Sequence, residues 1–133
     1  MTDGGTTRTT IDDLLGEARA RIDRVTPEQA ASEARAGAVL VDTRCGEDRA
    51  REGSIEGSVH VPRTLLEWRA DPSCDHSDPR IANLDARLIV ICNDGYSSSL
   101  AAANLRRLGF RRVADLIGGH RAWVAAGLPV QGA

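Results

Sequence analysis

The chain has 133 residues, a formal net charge of −2, 41% hydrophobic residues and only four aromatic side chains. That length supports one core of ordinary composition, and interspersed charge with so few aromatics excludes a nucleic-acid partner bound through basic patches or base stacking. No apolar run reaches the ~20 residues that span a bilayer, the polar N-terminus lacks the apolar centre of a secretory signal, and three cysteines, an odd number, fit a reducing compartment better than a disulfide framework; the expectation is a cytoplasmic protein with no membrane partner.

Residues 1–10, rich in Thr and Gly, read as a disordered tail. Residues 11–22 place Ile11, Leu14, Leu15, Ala18 and Ile22 on one helical face. Thr26-Pro27-Glu28-Gln29 is a capping box with proline at the first helical position, and Gly37 is a suitable stop for that helix. A strand over 38–42, a short helix over 47–52 and a short strand over 59–61 follow. Thr64-x-x-Glu67 reads as a second capping box, opening the turn that carries Trp68. Residues 71–80, with two prolines, form a loop; a buried strand over 88–91 and a helix over 98–108 come next. Short apolar strands separated by helices specify an α/β fold, a central parallel sheet flanked by helices on both faces.

Cys92 is the most informative residue, because the strand 88–91 runs into the loop Asn93-Asp94-Gly95-Tyr96-Ser97 and a helix follows at once. A thiol there faces unpaired first-turn N–H groups and the positive end of the helix dipole, which favour a thiolate or an anion attached to it. The thiolate is the reactive form of cysteine. The competing reading is a small apolar residue closing a core strand; the uninterrupted order of strand, glycine-containing loop and helix favours the nucleophile.

Cys92-x-x-Gly95-x-x-Ser98, followed by Leu100-Ala101-Ala102-Ala103-x-Leu105-x-x-Leu108-Gly109-Phe110, resembles the active-site loop and following helix of rhodanese-like domains. Three further stretches match in order: Val39-Leu40-Val41-Asp42-Thr43-Arg44, the segment Gly53-Ser54-Ile55-Glu56-Gly57-Ser58-Val59-His60-Val61-Pro62, and Gly118-Gly119-His120-Arg121-Ala122-Trp123 through Gly127-Leu128-Pro129-Val130. The resemblance covers residues 24–131; the tail and helix of residues 1–23 lie outside it. It implies a single rhodanese-like domain in which Cys92 carries sulfane sulfur as a persulfide from a small-molecule donor to a thiol, cyanide or protein acceptor. Asn93, Asp94, Gly95, Tyr96, Ser97 and Ser98 would cradle that sulfur and Asp42 would support the site, with no cofactor and no metal. Open parallel sheets bind ligands beyond the carboxyl ends of their strands, and Asp42, Pro62 and Cys92 all fall just after such ends. The oligomeric state is left open.

One position departs from the family pattern. The sixth position counted from the cysteine, commonly basic in the family, is Ser97 here, so the loop lacks its own cation and cannot clamp an anion by paired charge-assisted hydrogen bonds. Asp94 adds a negative charge, which opposes both a thiolate and a dianion such as thiosulfate. Arg44, Arg63 and Arg69 are candidates to bring a guanidinium from outside the loop, Arg63 foremost because it follows Pro62 at a strand end. Ser97 also leaves open a catalytically weak module that senses sulfur or binds a protein. A cysteine phosphatase of related shape ranks lower, because the sixth residue after Cys92 is Ser98 where such enzymes place a phosphate-clamping arginine.

The remaining candidates are weaker. Cys74-x-His76 falls short of a four-ligand zinc pattern and reads as part of a solvated acidic loop. His60 reads as a hydrogen-bonded structural histidine, His120 as a helix-start residue, and Trp123 as packing of the last helix on the sheet. Gly118-Gly119 lacks the further glycines of a phosphate fingerprint. Cys45, three residues beyond Asp42, is a possible thiol partner for Cys92, although the reading as an incidental turn residue is favoured.

Overall fold

The computed structural model describes residues 7–132. Most of the expected tail, residues 1–6, lies outside the described residues, and Thr10 already caps the first helix. That helix, α1 (Ile11–Arg19), opens on a capping box: the Thr10 hydroxyl accepts the Asp13 N–H at 3.1 Å and the Asp13 carboxylate accepts the Thr10 N–H at 2.9 Å. It stops short of the expected Ile22 because the chain must extend to make β1 (Asp23–Val25), a strand the helical periodicity masked. Only the inner part of the expected apolar face is used. Ala18 is buried and Ile22 packs on the core, while Ile11 and Leu14 stay exposed.

Thr26 and Gln29 close the second capping box at the start of α2 (Pro27–Arg35), and Gly37 turns the chain at a φ of 111°. Strand β2 (Val39–Asp42), helix α3 (Gly46–Glu52) and the short strand β3 (Val59–His60) follow. The capping box expected at Thr64 does not form. Residues Arg63–Leu65 make a 3-10 turn, α4 (Leu66–Ala70) starts without a side-chain cap, and the Glu67 carboxylate is taken instead by Arg63 at 3.0 Å and Asn104 at 2.8 Å. Strand β4 (Leu88–Ile91), helix α5 (Ser97–Leu108), strand β5 (Ala114–Leu116) and helix α6 (Gly119–Ala125) complete the chain.

The strands form one parallel sheet in the order β1-β5-β4-β2-β3. Helices α1, α4 and α5 cover one face over Val41, Leu88, Val90, Leu105 and Phe110; α2 and α6 cover the other over Leu40, Ile89, Ile91, Leu116 and Trp123. Burial on both faces is why all four residues of β4 are apolar and none alternates with a polar one. From β2 the chain winds outward to β3, and from β4 it winds the opposite way to β5. The order therefore reverses between β2 and β4, and a crevice opens beyond their carboxyl ends. Among the described residues no helix is long and apolar enough to cross a membrane.

Candidate active site

Cys92 directly follows β4 at that reversal, with 6% of its surface exposed. Its Sγ accepts the Gly95 N–H at 3.1 Å and the Ser98 N–H at 3.3 Å. Helix α5 has no side-chain cap from Tyr96, so the cysteine sulfur fills that role and satisfies a first-turn amide that water would otherwise take. Burial pushes the Cys92 thiol up, but hydrogen bonds from the Ser98 and Ser97 hydroxyls and from the Ser98 and Gly95 amides outweigh it, leaving the thiol below its ordinary value. The Ser98 hydroxyl has a single proton, and at 2.9 Å that proton goes to Asp115. The two amides are therefore the constant donors to sulfur.

The loop is braced from beneath and from the side. Asp115 of β5, fully buried, accepts the Ser98 and Ser99 hydroxyls at 2.9 and 2.7 Å and the Arg24 guanidinium at 2.8 Å. Arg24 and Arg19 both donate to the Gly95 carbonyl, at 3.2 and 2.9 Å, and the Arg19 guanidinium lies over the Tyr96 ring at 5.7 Å. Behind the loop, α6 docks through its glycines: a Cβ on Gly119 would lie 2.5 Å from the Cys92 carbonyl oxygen, and a Cβ on Gly95 would lie 2.6 Å from the Gly118 nitrogen. The His120 and Arg121 amides then donate to the Cys92 and Asn93 carbonyls at 2.8 and 3.1 Å.

A cleft of about 360 Å³ opens in front of Cys92, between the segments that follow β2 and β4. Of the loop residues expected there, Asn93, Asp94, Tyr96 and Ser97 line it, whereas Gly95 and Ser98 act from behind through their amides. Asn93 also donates its side-chain amide to Asp48 at 2.9 Å, tying the loop to α3. Asp42 lies underneath: burial pushes its carboxyl up, yet hydrogen bonds from Arg44 and Arg49 hold it below the ordinary carboxylate range.

The arginines proposed from sequence to supply the missing cation are corrected by the structure. Arg44 borders the cleft, but its guanidinium is buried against Asp42 at 3.0 Å and the Gly53 carbonyl at 2.7 Å, so it balances a buried charge instead of facing a ligand. Arg63 pairs with Glu67 at 3.0 Å and borders a separate cavity with α1 and α5. Arg69 donates to the His76 carbonyl in the 71–80 loop. The nearest cation to the loop's carboxylate is one not singled out in the sequence: Arg121 of α6, which binds Asp94 and Glu52 at 2.8 Å each. Hydrogen bonding to Glu52 and the charge of Asp94 hold its guanidinium firmly protonated.

His60 donates its Nε2–H to the Arg44 carbonyl, 2.7 Å away, as the structural reading requires. Trp123 is buried on the sheet with its indole N–H on the Pro129 carbonyl. Asp115, Arg24, Arg19 and Asp48 escaped the sequence reading. Asp115 had a legible signal, a carboxylate inside the apolar run Val113-Ala114-Asp115-Leu116-Ile117, and the glycine pair at 118–119 marks close backbone approach; the surface-type arginines carried none.

A cysteine sulfur held by amides at the reversal point of a parallel sheet defines a cysteine-loop α/β domain. The chain belongs to the rhodanese-like domain family, whose model matches residues 26–126. It is 41% identical over 103 residues to the thiosulfate sulfurtransferase GlpE of Stutzerimonas stutzeri, covering 75% of this chain and 83% of that protein. Among solved structures it resembles a protein of unknown function from Rhodopseudomonas palustris, described as a possible tyrosine phosphatase, with a TM-score of 0.85 and 31% identity over 98% of this chain and 99% of that one. It also resembles a thiosulfate sulfurtransferase from Pseudomonas aeruginosa, with a TM-score of 0.67 and 27% identity over 84% of this chain and 20% of that one.

Proposed function

We propose that the chain is a cytoplasmic sulfurtransferase that carries sulfane sulfur as a persulfide on Cys92. The observation that carries this reading is the pair of amides, Gly95 and Ser98, aimed at the Cys92 sulfur from 3.1 and 3.3 Å at the mouth of a cleft. Relatives named as thiosulfate sulfurtransferases at about 40% identity support it. The Cys92 thiolate attacks the outer sulfur of the donor; with thiosulfate, the sulfur–sulfur bond of the donor breaks and sulfite leaves with the bonding pair. The amides hold the charge that remains on the persulfide, as an oxyanion hole holds oxygen. A thiol, cyanide or protein acceptor then takes the outer sulfur and returns Cys92 to a thiolate, so one difficult transfer becomes two easier ones. Residues 24–131 make up the rhodanese-like unit of this reading, and residues 1–23 are an addition to it.

The phosphatase reading suggested by the Rhodopseudomonas relative lacks the loop arginine, since Ser98 occupies its place. A catalytically weak module is favoured by one observation, Ser97 where the family places a base, and intact-mass measurement separates the two. Incubation with a sulfane sulfur donor is expected to add one sulfur atom to the wild-type protein and none at that site in Cys92→Ser. A Cys92→Ser protein that retains most of the transfer activity overturns the assignment.

A further inference from the structure

The cleft in front of Cys92 contains a second cysteine. Cys45 lines it from the β2 side, across the reversal point from Cys92. The parallel register pairs Asp42 with Ile91, so Cys92 lies one residue and Cys45 three residues beyond the same rung. The two thiols differ in access: Cys92 is buried and Cys45 is exposed. Cys45 stands at the N-cap position of α3 yet makes no capping hydrogen bond, so the thiol has no structural task there. Asp48, three residues further on, also lines the cleft, and its carboxyl is held below the ordinary carboxylate range first by the Asn93 amide and then by the neighbouring Cys45 thiol. Asn93 belongs to the Cys92 loop, so the carboxylate beside Cys45 is fastened to the residue next to Cys92.

We propose that Cys45 is the internal acceptor of the sulfur loaded on Cys92, carrying it from the buried loop to the rim of the cleft. This inference rests on the persulfide reading above. A persulfide extends the reacting sulfur about 2 Å outward from Cys92, into the space both cysteines line. The exposed Cys45 thiol gives its proton to solvent and its sulfur attacks the outer sulfur of the persulfide. A bond forms between Cys45 and that sulfur, the bond to Cys92 breaks, and its electron pair stays on Cys92, where the Gly95 and Ser98 amides receive the thiolate. A proton from solvent returns to the transferred sulfur, leaving a Cys45 persulfide. Sulfane sulfur changes carrier and nothing is oxidised or reduced overall. A thiolate stabilised by two amides is a good leaving group in such an exchange, and the exposed product meets protein thiols too bulky to reach Cys92.

The test starts from Cys74→Ser, which leaves only the two cysteines of the cleft. The protein is loaded with thiosulfate or an inorganic polysulfide, quenched at intervals with an alkylating reagent and mapped by peptide mass spectrometry. The expected result is a persulfide first on the Cys92 peptide and then on the Cys45 peptide, with none on Cys45 once Cys92→Ser is added. Adding Cys45→Ser instead is expected to prolong the life of the Cys92 persulfide and to slow sulfur delivery to reduced thioredoxin several-fold more than delivery to cyanide. A loaded Cys92 with no persulfide ever on Cys45 overturns the inference. So does Cys45 labelling that persists in Cys92→Ser, or a Cys45–Cys92 disulfide with sulfide released, which is attack on the inner sulfur. Failure of Cys92 itself to load overturns the persulfide reading from which the inference starts.

Discussion

Replacing Asp115 by alanine tests whether the Cys92 loop is supported by a buried charge cluster. The carboxylate is fully buried and takes the hydroxyls of Ser98 and Ser99 and the guanidinium of Arg24. Its removal leaves two fully buried hydroxyls without their acceptor, at about 1–3 kcal/mol for each that finds no other. Ser99 recovers part of this from the Gly95 carbonyl at 3.4 Å. Arg24 keeps about a fifth of its side chain in water and re-solvates cheaply, which places the whole below the ~3–5 kcal/mol of an entirely buried pair broken on one side. The expected loss is about 3 kcal/mol, a large share of the ~5–15 kcal/mol that holds a domain together. Urea denaturation measures it, as a fall in midpoint with an unchanged m-value. Asp115→Asn, which keeps the shape and one acceptor oxygen, is expected to lose about half as much. A loss below about 1 kcal/mol for Asp115→Ala would refute the reasoning, because it would mean that the loop serines and Arg24 are satisfied without the carboxylate.

Gly119→Ala drives a Cβ to within 2.5 Å of the Cys92 carbonyl oxygen at a φ of +66°, so a loss of more than about 2 kcal/mol in urea denaturation, together with displaced Cys92 reactivity, is expected. Arg19→Ala removes two hydrogen bonds to the loop segment and the contact with Tyr96; about 1–2 kcal/mol is lost, and faster hydrogen exchange at the Gly95 and Ser98 amides reports it. Because the folded-state pKa of Cys92 is lowered, its thiolate persists to lower pH than that of a free thiol. Alkylation of Cys92 is thus expected to fall off at a lower pH than alkylation of glutathione, and coincident profiles would contradict the amide cradle. Ser97→Arg is expected to lower the KM for thiosulfate about tenfold, the worth of one charge-assisted clamp. Asp94→Ala acts in the same direction, since it removes a carboxylate from the cleft and frees Arg121 from one of its two partners; a KM unchanged in both variants shows that loop charge is not limiting.

Much of the fold was legible because local rules and tertiary packing agree. The Thr26 capping box, the all-apolar run 88–91 and the strand–loop–helix order around Cys92 each encode their structure within a few residues, and a strand buried on both faces has to be apolar throughout. The three-residue strands β1 and β5 were not legible, since segments so short carry no periodicity and exist only through their pairing in the sheet, β5 with β4 and β1 with β5. The Thr64 box failed for the converse reason: a local signal lost to partners, Arg63 and Asn104, that claim Glu67.

The same division runs through the candidate site. By itself the sequence determined that a cysteine would stand at a strand end facing a helix N-terminus, and that its loop would lack a cation, because both follow from residues adjacent in the chain. Only the tertiary structure decided which charges surround it. Long arginine side chains reach whatever carboxylate or carbonyl the fold brings near, so Arg44 and Arg63 turned to Asp42 and Glu67, while Arg19, Arg24 and Arg121 came from distant segments to hold the loop. The sequence offers Cys45 as a partner of Cys92 only through an assumed shared sheet edge; the parallel register of β2 and β4, a long-range pairing, supplies that edge and puts Cys45 in the cleft.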